Sequence, residues 1–254
     1  MLTPDQQGFL DVNGYLRLPK FLSAAEVDEI LAGLAEVESR WISEGRERAR
    51  GIPIKYGKGL DGSKYVNRYA FASLYSDRLR NSMERFKQLA PIFGPGFRFG
   101  EDEKDGMVVN HYVNLPGSRY KQLGWHTDGL RDIFLGQKLR PLWQVGLYLD
   151  DSPRQKGGLR LIPGTHKQGL PGMLFRKLYF VSHQADAKEI CVEAARGDLT
   201  IHDGRLWHRV ARAEVTGEAS RRRVAYLPFV EGPYRPKTEE SPTPLYHRLQ
   251  RLTG

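Results

Sequence analysis

A single cysteine, Cys191, stands in 254 residues. No intrachain disulfide can form, a reducing compartment is expected, and the expected location is cytoplasmic. No apolar run approaches the ~20 residues with which a helix crosses a bilayer. Residues 1–6 show no basic stretch leading into an apolar one, so no secretory leader is expected. No internal repeat or low-complexity segment stands out. The formal charge is +9, but the bases are scattered rather than gathered in a tract. Neither nucleic acid nor a membrane is therefore expected as a partner. A basic cavity for an anionic small molecule accounts better for the excess charge. The sequence does not decide an oligomeric state.

What is present suits one domain. Hydrophobic residues make up 40% and aromatics 11%, enough for a sizeable core. Thr3-Pro4-Asp5-Gln6 has the pattern of a capped helix start, and a short helix should run to about Leu10. Residues 14–19 alternate and predict a strand. Ser23-Ala24-Ala25-Glu26 is a second capping box. After it Val27, Ile30, Leu31, Leu34, Val37 and Trp41 recur at helical spacing. Residues 44–66 are rich in glycine and bases and predict a long loop: a lid over a site, a binding loop or a disordered segment. A further helix should carry Leu79, Met83 and Phe86 on one face. From about residue 96 short apolar segments alternate with Gly, Pro and Asp turns, at 107–112, 141–149, 159–163, 190–194, 199–202 and 224–230. That pattern favours a sandwich or barrel. The expected division is a helical part, about 1–95, a β core, about 96–231, and a Pro-rich tail, 232–254, with a short amphipathic piece at 245–252.

The chemistry gathers in the β region. Gly124-Trp125-His126-Thr127-Asp128-Gly129 places an imidazole and a carboxylate two residues apart. On a strand those two side chains share a face. With a third ligand they form a 2-His-1-carboxylate set, which leaves positions open on a metal. Taken alone, His-x-Asp is more often a solvated surface pair. His208, after Leu206-Trp207, is the expected third ligand. His202 is its rival; beside the Asp203-Gly204 turn, it is expected at a strand end near solvent or behind the ligands. Arg221-Arg222-Arg223 opens a strand. A guanidinium facing inward is costly without a carboxylate to hold, and a dicarboxylate would supply one.

Four segments together resemble the phytanoyl-CoA dioxygenase family of Fe(II)- and 2-oxoglutarate-dependent oxygenases. They are Trp125-His126-Thr127-Asp128, the run from Gly157 to Lys167 with its Pro163-Gly164-Thr165-His166, the Gly197-Asp198 strand leading to His208, and the Arg-led strand after it. The resemblance covers residues 6–231. It implies a mainly β fold with added helices: a double-stranded β-helix, or cupin-like jelly roll, with N-terminal helices packed on one sheet. It implies His126, Asp128 and His208 as iron ligands, and an arginine on the distal carboxylate of 2-oxoglutarate. Arg222 aligns best with that arginine; Arg223 and Arg221 follow. Asn110 and Tyr112 are further candidate contacts, and His166 matches a position that is not a ligand. The implied cofactors are Fe(II), 2-oxoglutarate and O2. The implied reaction oxidises a C–H bond of a small organic molecule, with an anionic one among the candidates, and releases succinate and CO2. Asp128 fills the position that related halogenases leave to a halide, so hydroxylation or a related oxidation is expected. Two rival classes retain the same ligands: a silent jelly-roll binding protein, and a metal-dependent hydrolase, since catalytic zinc also uses three protein ligands and a water.

Overall fold

The computed structural model describes residues 2–118, 120–130, 132 and 138–244. The architecture is mainly β with few helices. Helix α1 (Pro4–Asn13) leads into β1 (Tyr15–Leu18), and helix α2 (Ala24–Ser43) follows. Strands β2 (Arg48–Ala49), β3 (Ile52–Pro53), β4 (Lys55–Lys58) and β5 (Lys64–Tyr69) come next, then α3 (Asp77–Glu84) and a 3-10 segment, Arg85–Phe93. Beyond β6 (Arg98–Phe99) lie β7 (Val108–Asn114), β8 (Leu123–His126), β9 (Leu142–Tyr148) and β10 (Gly158–Leu161). A short helix α4 (Leu170–Phe175) precedes β11 (Ile190–Cys191), β12 (Leu199–Asp203), β13 (His208–Ala211) and β14 (Gly217–Val230).

Two sheets carry most of the strands. The larger runs β1-β12-β9-β14-β7-β5-β4, with β6 paired to β14. The smaller runs β11-β10-β13-β8. Every paired strand in them is antiparallel to its neighbour.

Both helix starts form as their residues dictate. The Thr3 side chain accepts from the Gln6 N–H, and the Gln6 side chain accepts from the Thr3 N–H; Ser23 and Glu26 do the same on α2. Each box satisfies backbone donors that a helix end leaves open. Helix α1 runs three residues past the expected end, to the left-handed Gly14 (φ 77°), whose N–H returns to Leu10. On α2 the expected stripe is the buried one: Val27, Ile30, Leu34, Val37 and Trp41 join one hydrophobic cluster with Val145, Leu147, Leu199, Ile201, Ala225, Leu227 and Phe229.

Those strand residues reveal how the large sheet is used. Side chains alternate between its faces. On β14, Ala225, Leu227 and Phe229 face the core with α2, while Val224 and Tyr226 pack with Tyr148 on the other side. On β12, Leu199 and Ile201 face the core, so Thr200 and His202 point the opposite way. Both faces are covered, and the second is polar.

The expected loop over 44–66 is corrected. Residues 48–69 contain four strands, and β4 and β5 extend the large sheet. Ala49, Ile52 and Val66 are fully buried. The β2–β3 hairpin turns on Arg50 and Gly51, both at positive φ, as a tight two-residue turn requires. The described part of the tail clasps it: Arg46 pairs with Glu239, and a Cβ on Gly51 would lie 2.3 Å from the Ser241 carbonyl oxygen. These contacts rule out a free lid. The amphipathic piece expected at 245–252 lies outside the described residues.

His111, on the core face of β7, gives the fold a pH dependence. Burial, with the Arg223 and Arg221 charges, pushes its pKa down from 6.5 to about 4. Between those values the unfolded chain takes up a proton that the folded chain refuses. The stability it contributes is therefore complete above pH 6.5 and is lost as the pH falls toward 4, by roughly 2–3 kcal/mol. Urea melts across that range should show the loss, and His111→Gln should flatten it.

Candidate metal centre and anion pocket

β8 and β13 lie side by side with His126 directly opposite His208. Their rings are 4.1 Å apart, centre to centre. One ligand atom from each of His126, Asp128 and His208 can be chosen so that all lie within 4.8 Å of one another. The sequence reading is corrected in one detail. The strand ends at His126, and Asp128 sits in the turn that follows, which swings its carboxylate back toward both rings.

The two imidazoles are held alike. His126 Nδ1 lies 2.8 Å from the Gly124 carbonyl oxygen, and His208 Nδ1 lies 2.9 Å from that of Leu206. A ring that donates from Nδ1 to a carbonyl leaves its Nε2 lone pair free for a metal. Burial pushes His126 down and His208 down to about 3, so both stay neutral in ordinary solution. Burial alone would raise the Asp128 carboxyl, but His202, His208 and His126 outweigh it and hold the group ionised. Two neutral imidazoles and a carboxylate form the donor set of a divalent metal with open positions.

His202 stands next to this trio. It is 2% exposed, which excludes the solvent position considered for it. Its Nε2 is 3.8 Å from Asp128 Oδ2, and neither ring nitrogen has a hydrogen-bond partner among the described residues. Because His202 comes from the large sheet, it faces the trio from across the interior rather than completing it.

The three arginines separate cleanly. Arg221 pairs with Glu218 at the surface. Arg223 is held on both forks by Asp150, each contact 2.7 Å, on the core face of β14. Arg222 points the other way and is 2% exposed. It donates to the carbonyls of Lys156 and Ala211, each at 3.0 Å, and lies 4.4 Å over the Tyr112 ring. No ion pair with an acid is seen for it among the described residues; burial lowers its pKa against the pull of Tyr112, Tyr226, Tyr148 and Tyr120. Tyr112 stacks on Tyr120 at 4.6 Å, and Tyr120 donates to Asn110 Oδ1 at 2.6 Å. Arg222, Tyr112 and Asn110 are thus brought together, and Arg223 is not among them.

Further polar groups on this face were not visible beforehand. Thr200 Oγ1, Tyr148 OH and Gln144 Oε1 are buried without hydrogen-bond partners among the described residues. They come from β12 and β9, on the face that also carries His202 and Tyr226. A folded chain leaves such groups unpaired at a cost of about 1–3 kcal/mol each, unless a ligand or water meets them. Their signal in the sequence is faint: single polar residues at alternate positions in otherwise apolar strands. Gly146 keeps this wall open, since a Cβ there would meet Thr200 Oγ1 at 2.7 Å and the Tyr226 ring at 3.0 Å.

The remaining motif residues are scaffold. His166 is buried against α1, its Nε2 3.2 Å from the Asp11 carbonyl oxygen, as expected of a non-ligand. Phe180 stacks on the His126 ring at 4.7 Å, and its segment pairs along β8 through the backbone of Trp125.

Comparisons with known proteins agree with this geometry. The model of the phytanoyl-CoA dioxygenase (PhyH) family matches residues 103–223. That stretch is similar to the phytanoyl-CoA dioxygenase family. It contains the metal trio, His202 and all three arginines. The chain is 24% identical over 167 residues to a protein of Stutzerimonas stutzeri named a probable alpha-ketoglutarate-dependent hypophosphite dioxygenase, covering 66% of this chain and 54% of that protein. The chain thus spans about half the length of the curated relative it matches. Among solved structures it resembles SnoN, an alpha-ketoglutarate-dependent epimerase from nogalamycin biosynthesis (TM-score 0.64, 21% identity, 91% of this chain and 85% of that one). It also resembles EvdO2 from Micromonospora carbonacea var. aurantiaca, solved with 2-oxoglutarate (TM-score 0.65, 17% identity, 95% and 97%). At these identities the structural likeness establishes the fold. No described helix is long and apolar enough to cross a membrane.

Proposed function

We propose that this chain is an Fe(II)- and 2-oxoglutarate-dependent oxygenase that oxidises a C–H bond of a small organic molecule. The observation that carries the reading is the pairing of two features in one interior: the His126, Asp128 and His208 trio, and the buried Arg222 with no acid partner. We take the two sheets as one jelly roll, with the N-terminal helices on the outer face of the larger, and the whole as one domain. The relatives' names, which specify alpha-ketoglutarate or carry it in a crystal, support the cosubstrate.

His126, Asp128 and His208 would hold the iron through Nε2, a carboxylate oxygen and Nε2. When bound, iron and 2-oxoglutarate supply the oxidising chemistry, in which 2-oxoglutarate and O2 become succinate and CO2 as the substrate is oxidised. Arg222 would bind the distal carboxylate of 2-oxoglutarate with the donors that Lys156 and Ala211 leave free. Thr200, Tyr148 and Tyr226 share the sheet face of Arg222 and His202 and would line the cosubstrate. Tyr112 presses its ring on the Arg222 guanidinium and keeps water from the opposite side. Three protein donors would leave positions open on the metal. Asp128 would be one of the three, in the place that a halide would otherwise need.

Incubating the protein with Fe(II), 2-oxoglutarate and a metabolite extract tests the reading. Succinate should form, and one component should gain an oxygen or lose two hydrogens by mass. Turnover with Zn(II) in place of Fe(II), and no succinate, would instead mark a hydrolase; neither activity would mark a binding protein.

A further inference from the structure

Besides Arg222 and Arg68, the site face carries Lys55, a cation to which the oxygenase reading gives no role. The register fixes where it points. Lys55 lies opposite Arg68, Arg68 opposite Asn110, Asn110 opposite Val224, and Val224 opposite Tyr148. Residues directly opposite in an antiparallel sheet share a face. Lys55 is therefore on the face of Asn110, Tyr148 and Arg222, at the β4 edge.

Its surroundings are unusual for a lysine. The side chain is half-buried, yet no hydrogen bond or ion pair is seen for it among the described residues. Its Nζ lies 5.0 Å from the centre of the Tyr120 ring. Tyr120 stacks on Tyr112 with the rings 4° from parallel, and Tyr112 carries Arg222 on its far face. Lys55, Tyr120, Tyr112 and Arg222 thus form one column, with a cation at each end and two aromatic rings between them. Arg68, opposite Lys55, pairs with Asp105 at 2.8 Å, and no acid is seen paired with Lys55 among the described residues. Burial and the Arg68 charge lower the Lys55 pKa to about 8, so most of the amine is still charged at neutral pH. A buried ammonium without an anion is costly, and the charge is tolerated where a ligand brings the anion.

We propose that Lys55 binds an oxyanion of the substrate, a carboxylate or phosphate group, which it seats at the Tyr120 end of the column. This rests on the oxygenase reading, in which Arg222 at the other end takes the cosubstrate. The substrate is then a small acid, oriented by its charged end and oxidised at a carbon nearer the trio. β4 is a strand of the large sheet, so Lys55 stands ready in place rather than arriving on a moving loop.

Inorganic phosphate and methylphosphonate are the probes. In protein loaded with Mn(II) and 2-oxoglutarate, which does not turn over, calorimetry should show either probe binding. Lys55→Met should weaken that binding about tenfold or more, the value of one charge-assisted contact. Lys55→Arg should retain part of it. Lys58→Met, the same charge change at an exposed site on the same strand, should change nothing. A measurement without substitution guards against misfolding: acetic anhydride modification of Lys55, read by peptide mass spectrometry, should slow when phosphate is added to the native protein. It needs neither metal nor 2-oxoglutarate. Failure of 2-oxoglutarate binding together with phosphate protection of Lys55 would therefore remove the oxygenase reading and keep the anion site. The proposal is overturned if neither probe binds, if Lys55→Met binds them as the parent does, if phosphate leaves the labelling unchanged, or if Lys55→Met weakens 2-oxoglutarate instead.

Discussion

Arg222→Met is expected to weaken 2-oxoglutarate binding roughly ten- to a hundredfold while the protein still binds Fe(II). A charge-assisted hydrogen bond to a carboxylate contributes about 1.5–3 kcal/mol, and the guanidinium is already fixed by Lys156 and Ala211, so little ordering is left to oppose it. Arg222→Lys should recover only part, because an ammonium cannot reproduce the planar fork. The neighbours are built-in controls. Arg223→Met breaks a two-pronged pair with Asp150 and should lower the melting temperature, with 2-oxoglutarate affinity unchanged. Arg221→Met removes a surface pair and should alter neither measurably. Equilibrium titration of each variant with 2-oxoglutarate, beside its melting curve, separates the three. Equal loss in all of them would remove the carboxylate role from Arg222.

The larger effect is expected at the trio. His126→Ala, Asp128→Ala and His208→Ala should each reduce bound iron and bring succinate formation to the background, because three donors act as one unit. The folds should survive, since these side chains face the polar interior and contribute nothing to the hydrophobic cluster under α2. His202→Ala should behave differently. It removes a ring 3.8 Å from Asp128 but no donor of the trio, so iron should still bind at one equivalent, about ten- to a hundredfold more weakly at most. Metal analysis after dialysis decides this. Iron lost in His202→Ala and retained in His208→Ala would exchange their roles.

The parts of the molecule differed in how plainly the sequence announced them. Ser23 and Glu26 act within one turn of helix, and the α2 stripe repeats five times, so local rules were enough. His126, Asp128 and Arg222 were singled out by the resemblance to a family rather than by any local rule, and the register of the sheet separates Arg222 from Arg221 and Arg223. Residues 48–69 were not legible. Their strands are two to six residues long, and glycines and bases interrupt the apolar alternation that would mark them. What makes them strands is the pairing of β2 with β3 and of β4 with β5, and the attachment of β5 to β7. His202 was obscured in another way. The Asp203-Gly204 turn beside it suggested solvent, but α1 and β1 cover that end of β12: the Gly14 carbonyl accepts from the Asp203 N–H, and Tyr15 lies opposite His202. Lys55 could not be singled out from the other bases until the register placed it on the face of Arg222.

One titration bears most directly on the central claim, that a single interior joins the trio to Arg222 through a bound 2-oxo acid. Protein loaded anaerobically with Fe(II) is titrated with 2-oxoglutarate and followed by visible absorption, where a 2-oxo acid chelated to Fe(II) gives a charge-transfer band. The band should appear and saturate at one equivalent. It should be absent in Asp128→Ala and should require a much higher 2-oxoglutarate concentration in Arg222→Met. No band in the parent protein, or one that is indifferent to both substitutions, would contradict the account.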